Sequence, residues 1–246
     1  MNPIMPIAVY GAAGRMGQAV LRLAFEEPRV AVVAAIVKAD SPEAGKGLRD
    51  DLTYTTTLNA SVAPQVLIDF SFAGAFDDAL ALARARRIAF VSGTTGLSQQ
   101  QHSALREAAG TIPVLWSANF SIGVAVLDRL VREAARALAD WDCQIGEAHH
   151  RHKKDAPSGT ALALGRAVAD ARSVDASKIG YASMRAGDIV GDHTVLFATD
   201  GERVELTHRA TDRTIFARGA LRAARWIAGQ PPGLYTLADV IGRASA

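Results

Sequence analysis

The chain lacks the features that mark several large classes of protein. Cys143 is its single cysteine, so no internal disulfide can form, and a reducing, cytoplasmic setting is expected. The same thiol sits in an apolar strand pattern ahead of Ile145, which suits a buried, inert side chain. No stretch approaches the roughly 20 apolar residues needed to cross a bilayer, and no charged segment, apolar run and small-residue cleavage site open the sequence. An excess of one charge is missing too. The 27 Lys and Arg against 25 Asp and Glu leave a net +2 with no long basic tract, which excludes nucleic acid as an expected partner. What remains, 246 residues at 49% hydrophobic and 21% charged, reads as an ordinary globular protein of one large domain or two small ones.

One stretch stands out against this background. From Glu147 to Ala161 the chain packs three of its six histidines (His149, His150 and His152) with Arg151, Lys153 and Lys154, then breaks through Pro157 and Gly159 into a helical pattern. Ala161, Leu164, Gly165 and Val168 recur at helical spacing, and Ser158 is a good N-cap. The backbone N–H groups of Gly159 and Thr160 at such a start can hold an anion, which suits a small carboxylated substrate. Histidine moves protons near neutral pH, and a lysine among cations is a candidate acid, so His149 and Lys153 are the expected proton donors. Two other readings stand beside this one. A charge run is usually a solvated face. A metal site would draw on His150 and His152 on one strand face with His149 on the other, but Arg151, Lys153 and Lys154 would repel a divalent ion, and no metal is expected.

The N-terminal half has a regular beat. Residues 4–10 form an apolar run leading into Gly11, Ala12, Ala13, Gly14, Arg15, Met16 and Gly17, then the helical pattern Val20, Leu21, Ala24, Phe25. Strand, glycine turn and helix point to dinucleotide binding, although the spacing is Gly-x-x-Gly-x-x-Gly and not the commoner Gly-x-Gly-x-x-Gly. A second strand over 30–37 ends in Val37, Lys38, Ala39 and Asp40. Residues 38–62 read as a loop region with one short strand near Tyr54. Strands at 66–70, 88–92 and 112–116 alternate with helices at 75–86 and 99–109, which predicts a Rossmann-like, doubly wound parallel sheet with ligands at the strand C-terminal ends. Gly93, Thr94 and Thr95, and Ser117, Ala118, Asn119 and Phe120, lie at such ends. After a helix that follows Gly123, patterned on Val126, Leu127, Leu130, Val131 and Ala134 and ending near Asp140, strand-like alternations at 181–185, 189–190, 194–199 and 204–209 predict a second domain of α+β type on a mostly antiparallel sheet. In the last of these, Val204, Leu206 and His208 share a face. A final amphipathic helix through Phe216, Ala220 and Ile227 and a short terminal helix are expected to return to the first domain. The expected division is therefore 1–121 with 213–246 as the dinucleotide-binding domain and 122–212 as the substrate-binding and oligomerisation domain, with hinge candidates near Ser121 and Arg213.

The central stretch resembles the signature of the dihydrodipicolinate reductases: a Glu, a His-His pair, a Lys, then Asp-Ala-Pro-Ser-Gly-Thr-Ala. The glycine turn, Gly93 to Gly96, Ser117 to Gly123, and Arg185 to Gly191 all fall in family order. The resemblance implies NADH- or NADPH-dependent reduction of 4-hydroxy-tetrahydrodipicolinate, with loss of water, on the diaminopimelate route to lysine. It implies His149 and Lys153 for proton transfer, and His150, Gly159 and Thr160 for the substrate carboxylates. It assigns Gly93, Thr94 and Thr95 and the Ser117 to Phe120 stretch to the nicotinamide side of the cofactor, and it implies a homotetramer built through the second sheet.

Three departures accompany it. Val37 stands where the family often carries an acid, leaving only Lys38, which could pair with the 2′-phosphate of NADPH. Phe72 and Ala73 replace a polar residue and a proline, so no cofactor contact is expected at that corner. The loop from Ser173 to Lys178 is short, which bears on tetramer packing. The rival functions are a non-catalytic NAD(P)-binding regulator, which needs no proton donor, and a metal-dependent hydrolase, which a chelator would inactivate.

Overall fold

The structure, a computed structural model, describes residues 4–50 and 52–242. It divides into two compact units, Met1–Phe120 with Phe216–Ala246, and Ser121–Ile215.

The first unit begins with β1 (Met5–Tyr10), α1 (Arg15–Glu26) and β2 (Val30–Ile36). The apolar side chains spaced along α1, Val20, Leu21, Leu23 and Ala24, are the ones it buries. Two short strands follow, β3 (Gly47–Arg49) and β4 (Leu52–Thr55), where the sequence suggests one; β4 pairs parallel with β2, and β3 folds back antiparallel on β4. Then come β5 (Val66–Asp69), α2 (Ala73–Arg86), β6 (Ala89–Ser92), α3 (Gln99–Ala108) and β7 (Pro113–Trp116). Every residue of β5 and β6 is buried, as a central parallel strand covered on both faces requires. Ser98 caps α3 in a reciprocal box with Gln101.

The second unit consists of α4 (Ile122–Ala137), β8 (Asp142–His149), α5 (Gly159–Arg172), β9 (Gly180–Arg185), β10 (Gly191–Thr199) and β11 (Glu202–Ala210). Its sheet runs β11-β10-β8-β9, with β10 antiparallel to both neighbours and β9 parallel to β8. Strand β10 alternates strictly, burying Gly191, His193, Val195 and Phe197. That face packs on α4 and α5 through Leu127, Val131, Leu164 and Val168. Gly165 permits the close approach of α5, because a Cβ there would lie 1.8 Å from the Tyr181 hydroxyl. Met184 points to the other face and is 62% exposed. Ile189 and Val190 are not a strand: they follow the turn at Gly187 and lead into β10 as irregular chain.

The chain then returns to the first unit through α6 (Thr214–Ile227), β12 (Gly233–Tyr235) and α7 (Leu237–Val240). Strand β12 pairs parallel with β7, so the C-terminal segment completes an eight-stranded sheet ordered β12-β7-β6-β5-β1-β2-β4-β3. Because β1 lies between β2 and β5 and pairs parallel with both, the strand order reverses there. In a doubly wound sheet that reversal is where ligands bind.

Candidate active site

At the reversal point the turn after β1 is pressed against the end of β5. Gly11 has φ +76°, in the left-handed region, and a Cβ on it would sit 2.7 Å from the Phe70 carbonyl oxygen. Gly17 is tighter, with its Cβ position 2.3 Å from the Gly11 oxygen. These glycines bring bare backbone to the start of α1, where Gly14 occupies the N-cap and no side chain caps the helix. The first-turn amides, from Arg15 and Met16 onward, are thus left without a side-chain cap, which fits the pyrophosphate of a dinucleotide. Ala12 donates its N–H to the Ile36 oxygen, tying the loop to the end of β2. Beyond β2, Val37 is buried, whereas Lys38 is exposed and paired with Asp40 at 3.1 Å.

The neighbouring strand ends are organised by a residue that lies outside every sequence motif. Asp69 is fully buried at the end of β5, and its carboxylate accepts from Ser92 Oγ (2.7 Å), Thr94 Oγ1 (2.8 Å) and the Ser71 N–H (2.9 Å). It therefore sets the path of Gly93, Thr94 and Thr95, and Trp116 Nε1 donates to the Thr94 oxygen from the next strand. The signal in the sequence is an acid ending an apolar strand, opposite a Ser and a Thr that register alone brings alongside. Ser117 Oγ donates to the Asn119 oxygen, closing the turn after β7, and Phe120 packs edge-on against Phe70 at 5.5 Å.

In the second unit β8 ends at His149, so His150 and His152 lie in the following turn and not on a shared strand face. Glu147 and His149, two residues apart, point to the same helix-covered side. Opposite them on β10 are Gly191 and His193, and on β9 Ser183 and Arg185. The result is a polar row within an otherwise apolar face. Glu147 is buried; burial alone would raise its carboxyl, but hydrogen bonds from Arg185, Ser183 and His149 hold it down at about 2. Arg185 grips it with two nitrogens at 2.7 and 2.9 Å, and His149 Nδ1 bonds its Oε2. His193 stands edge-on to His149, with ring centroids 5.1 Å apart. Burial and the neighbouring His149 push His193 down to about 4, so it is neutral at physiological pH.

Helix α5 starts beside this row. Ser158, buried, accepts the Ala161 N–H in the capping position expected of it and lies 3.1 Å from His193 Nε2. Gly159 and Thr160 form the first turn. Lys153 bonds the Asp155 carboxylate at 2.8 Å and is near enough to His193 and His150 to disfavour their charged forms. His150 lines an open cavity of about 660 Å³ with Arg151, His152, Gly187, Asp188 and Arg213. Partial burial and the cations around it, Arg213 foremost, lower the His150 pKa. Arg213 was not among the expected site residues, since it lies 59 residues beyond Lys154 and only the fold brings it to His150. Among the described residues no group of three His, Cys, Asp or Glu side chains is placed to hold a metal ion. Cys143, at the other end of β8, is half-buried, and its thiol is pushed up by burial.

A parallel sheet with a glycine turn at its reversal point, joined to a unit that lines up imidazole, lysine and a helix start, defines the class: a dinucleotide-dependent oxidoreductase. Residues 5–120 match the family model described as dihydrodipicolinate reductase, N-terminus, and residues 123–241 match dihydrodipicolinate reductase, C-terminus. The chain belongs to the dihydrodipicolinate reductase family. It is 51% identical to the 4-hydroxy-tetrahydrodipicolinate reductase of Stenotrophomonas maltophilia (strain K279a), over 96% of this chain and 97% of that one. With the protein of the same name from Xylella fastidiosa (strain 9a5c) it shares 49% identity over 98% and 100% of the two chains. Among solved structures, the dipicolinate-bound dihydrodipicolinate reductase from Paenisporosarcina sp. TG-14 superposes with a TM-score of 0.84 at 21% identity, covering 95% of this chain and 97% of that one, a likeness of fold.

Proposed function

We propose that this protein reduces 4-hydroxy-tetrahydrodipicolinate to tetrahydrodipicolinate, with loss of water, in lysine biosynthesis. The observation that carries this reading is the match of both units, over 5–120 and 123–241, to one reductase family in a chain that retains His149, Lys153 and the capped start of α5. Family membership implies a nicotinamide cofactor, and the bare glycine turn suits its pyrophosphate. We assign Gly11, Ala12, Ala13, Gly14, Arg15 and Met16 to that group, Lys38 to the adenosine end, and Gly93, Thr94, Thr95, Ser117, Ala118, Asn119 and Phe120 to the nicotinamide end. When bound, the reduced nicotinamide supplies a hydride. The protein's own task is to hold the substrate and move a proton.

His150, the Gly159 and Thr160 backbone and the Thr160 hydroxyl clamp the two ring carboxylates, with Arg213 adding a further cation in the His150 cavity. His149 and Lys153 transfer the proton that the enamine-like product of C4 reduction requires. A non-catalytic nucleotide-binding regulator would have no use for this donor pair. Both NADH and NADPH serve as donors in our reading, and Lys38 without an acid at position 37 tilts the choice toward NADPH. We further place the protein in the cytoplasm as a homotetramer joined through the open face of the β11-β10-β8-β9 sheet; sedimentation of the purified protein as a monomer would overturn that assembly.

The deciding experiment follows NADPH oxidation by the purified protein, with substrate generated in situ from pyruvate and aspartate semialdehyde. Turnover that resists EDTA and disappears in a His149→Ala, Lys153→Ala double variant is expected. Tight nucleotide binding without turnover on either cofactor would instead favour the regulator.

A further inference from the structure

The polar row beside α5 holds a group for which the reaction has so far had no use. Glu147 lies on β8 two residues before His149, its side chain fully buried, and both of its oxygens are taken up by Arg185. A buried ion pair of this kind is a poor source of stability, since desolvation offsets most of its attraction. Its geometry suggests another use. Because Arg185 matches the carboxylate with a bidentate guanidinium, the pair carries no net charge, yet Glu147 Oε2 remains engaged with His149 Nδ1. An ionised carboxylate can only accept, so the proton in that bond belongs to Nδ1 whether the ring is neutral or charged. Nε2 is then the nitrogen left to exchange a proton. Among the described residues it makes no hydrogen bond, and the side chain keeps 10% of its surface open.

The surroundings hold the ring in this pose. His193 stands edge-on against it, and Gly191 leaves room for Nε2, since a Cβ at that position would come within 3.0 Å. Arg185 is anchored in turn to the Asp155 and Met184 carbonyl oxygens, both at 2.6 Å, so the carboxylate cannot swing away with its partner.

We propose that Glu147, held by Arg185, is a positioning residue for proton transfer, locking His149 in the Nδ1–H tautomer so that Nε2 serves the substrate. The proposal rests on the reading of His149 as a proton-transfer residue. It also specifies what a neutral isostere does. In Glu147→Gln an amide oxygen kept on Arg185 Nη2 at the Oε1 position puts the NH₂ at the Oε2 position, at the expense of the Nη1 bond and facing His149, and the ring must then accept at Nδ1 and carry its proton on Nε2.

The test combines kinetics with imidazole ¹⁵N–¹H correlation spectra, recorded at about pH 9, above the ordinary imidazole range. Wild type is expected to show His149 as the Nδ1–H tautomer and Glu147→Gln as Nε2–H, with kcat falling about 10²–10⁴-fold and KM changing little. An Nε2–H tautomer in the wild-type protein would overturn the proposal even if the variant failed to fold. So would a folded Glu147→Gln with unchanged kcat, provided His149→Ala is inactive. Full activity in His149→Ala would instead overturn the underlying reading of His149.

Discussion

Lys153 and His149 differ in how firmly they are held, and this separates their expected roles. His149 is buried in a fixed row, whereas Lys153 lies in the turn after β8, tethered to the exposed side chain of Asp155. A lysine in that position can hold a substrate carboxylate as well as give up a proton. Lys153→Ala is therefore expected to lower kcat by about 10²–10⁴-fold and to raise KM, and wild-type kinetics in this variant would remove Lys153 from the mechanism. Lys38 is the simpler case. Its side chain is exposed and paired with Asp40, and Val37 before it is buried and cannot bond a ribose hydroxyl. Replacing Lys38 by Ala should reduce kcat/KM with NADPH more than with NADH. A strong NADH preference in wild type that persists in Lys38→Ala would show that the 2′-phosphate is not read here.

Among the elements, the turn between β1 and α1 leaves no room for added side chains. Gly17 belongs to the helix, yet the space where its Cβ would stand is occupied by the Gly11 oxygen at 2.3 Å, and that obstacle is backbone. Gly17→Ala must therefore push the helix start away from the turn, at a cost of about 1–3 kcal/mol by the usual toll of overpacking. The same shift disturbs the uncapped amides, so a lower Tm and weaker dinucleotide binding, read by nucleotide titration, are expected together. A variant unchanged in both would mean that the turn is slack and the cradle is not shaped by this glycine. Helix α5 illustrates a different economy: Ser158 accepts the Ala161 N–H and meets His193, so the start of the proposed carboxylate clamp is pinned to the sheet that carries His149.

For the protein as a folded unit, the buried carboxylate sets a pH dependence of stability. Glu147 titrates near 2 when folded and near the ordinary glutamate value of about 4.3 when unfolded. A depressed folded value means that its contribution is complete above the unfolded value and is lost as pH falls through the folded one. The unfolding free energy of wild type should thus exceed that of Glu147→Gln by a margin that narrows between about pH 4.5 and 2. Urea titrations across that range check it, and a constant margin would show that the ion pair does not couple to folding.

Much of this was legible along the chain. The strand, turn and helix beat from β1 to β7 follows from local apolar runs, because a parallel strand covered on both faces must be apolar throughout and its glycine turn must spare a Cβ. The signature from Glu147 to Ala161 was legible for the same kind of reason: a capped helix start and its cations lie close in sequence, so spacing carries their chemistry. Where the local pattern is ambiguous, the fold departs from it. Ile189 and Val190 look like a strand but follow the Gly187 turn as irregular chain, and the His150 and His152 pair leaves the strand before it can share a face. Other features depend on which strands become neighbours, and no local pattern reveals that. Asp69 meets Ser92 and Thr94, Arg185 grips Glu147, His193 walls His149 and Arg213 reaches the His150 cavity only after the fold has joined positions 23 to 63 residues apart. Helix and strand propensity act over a few residues, so the sequence alone names the candidate groups; long-range strand pairing decides which carboxylate holds which imidazole, and hence which nitrogen is left open for the proposed proton transfer.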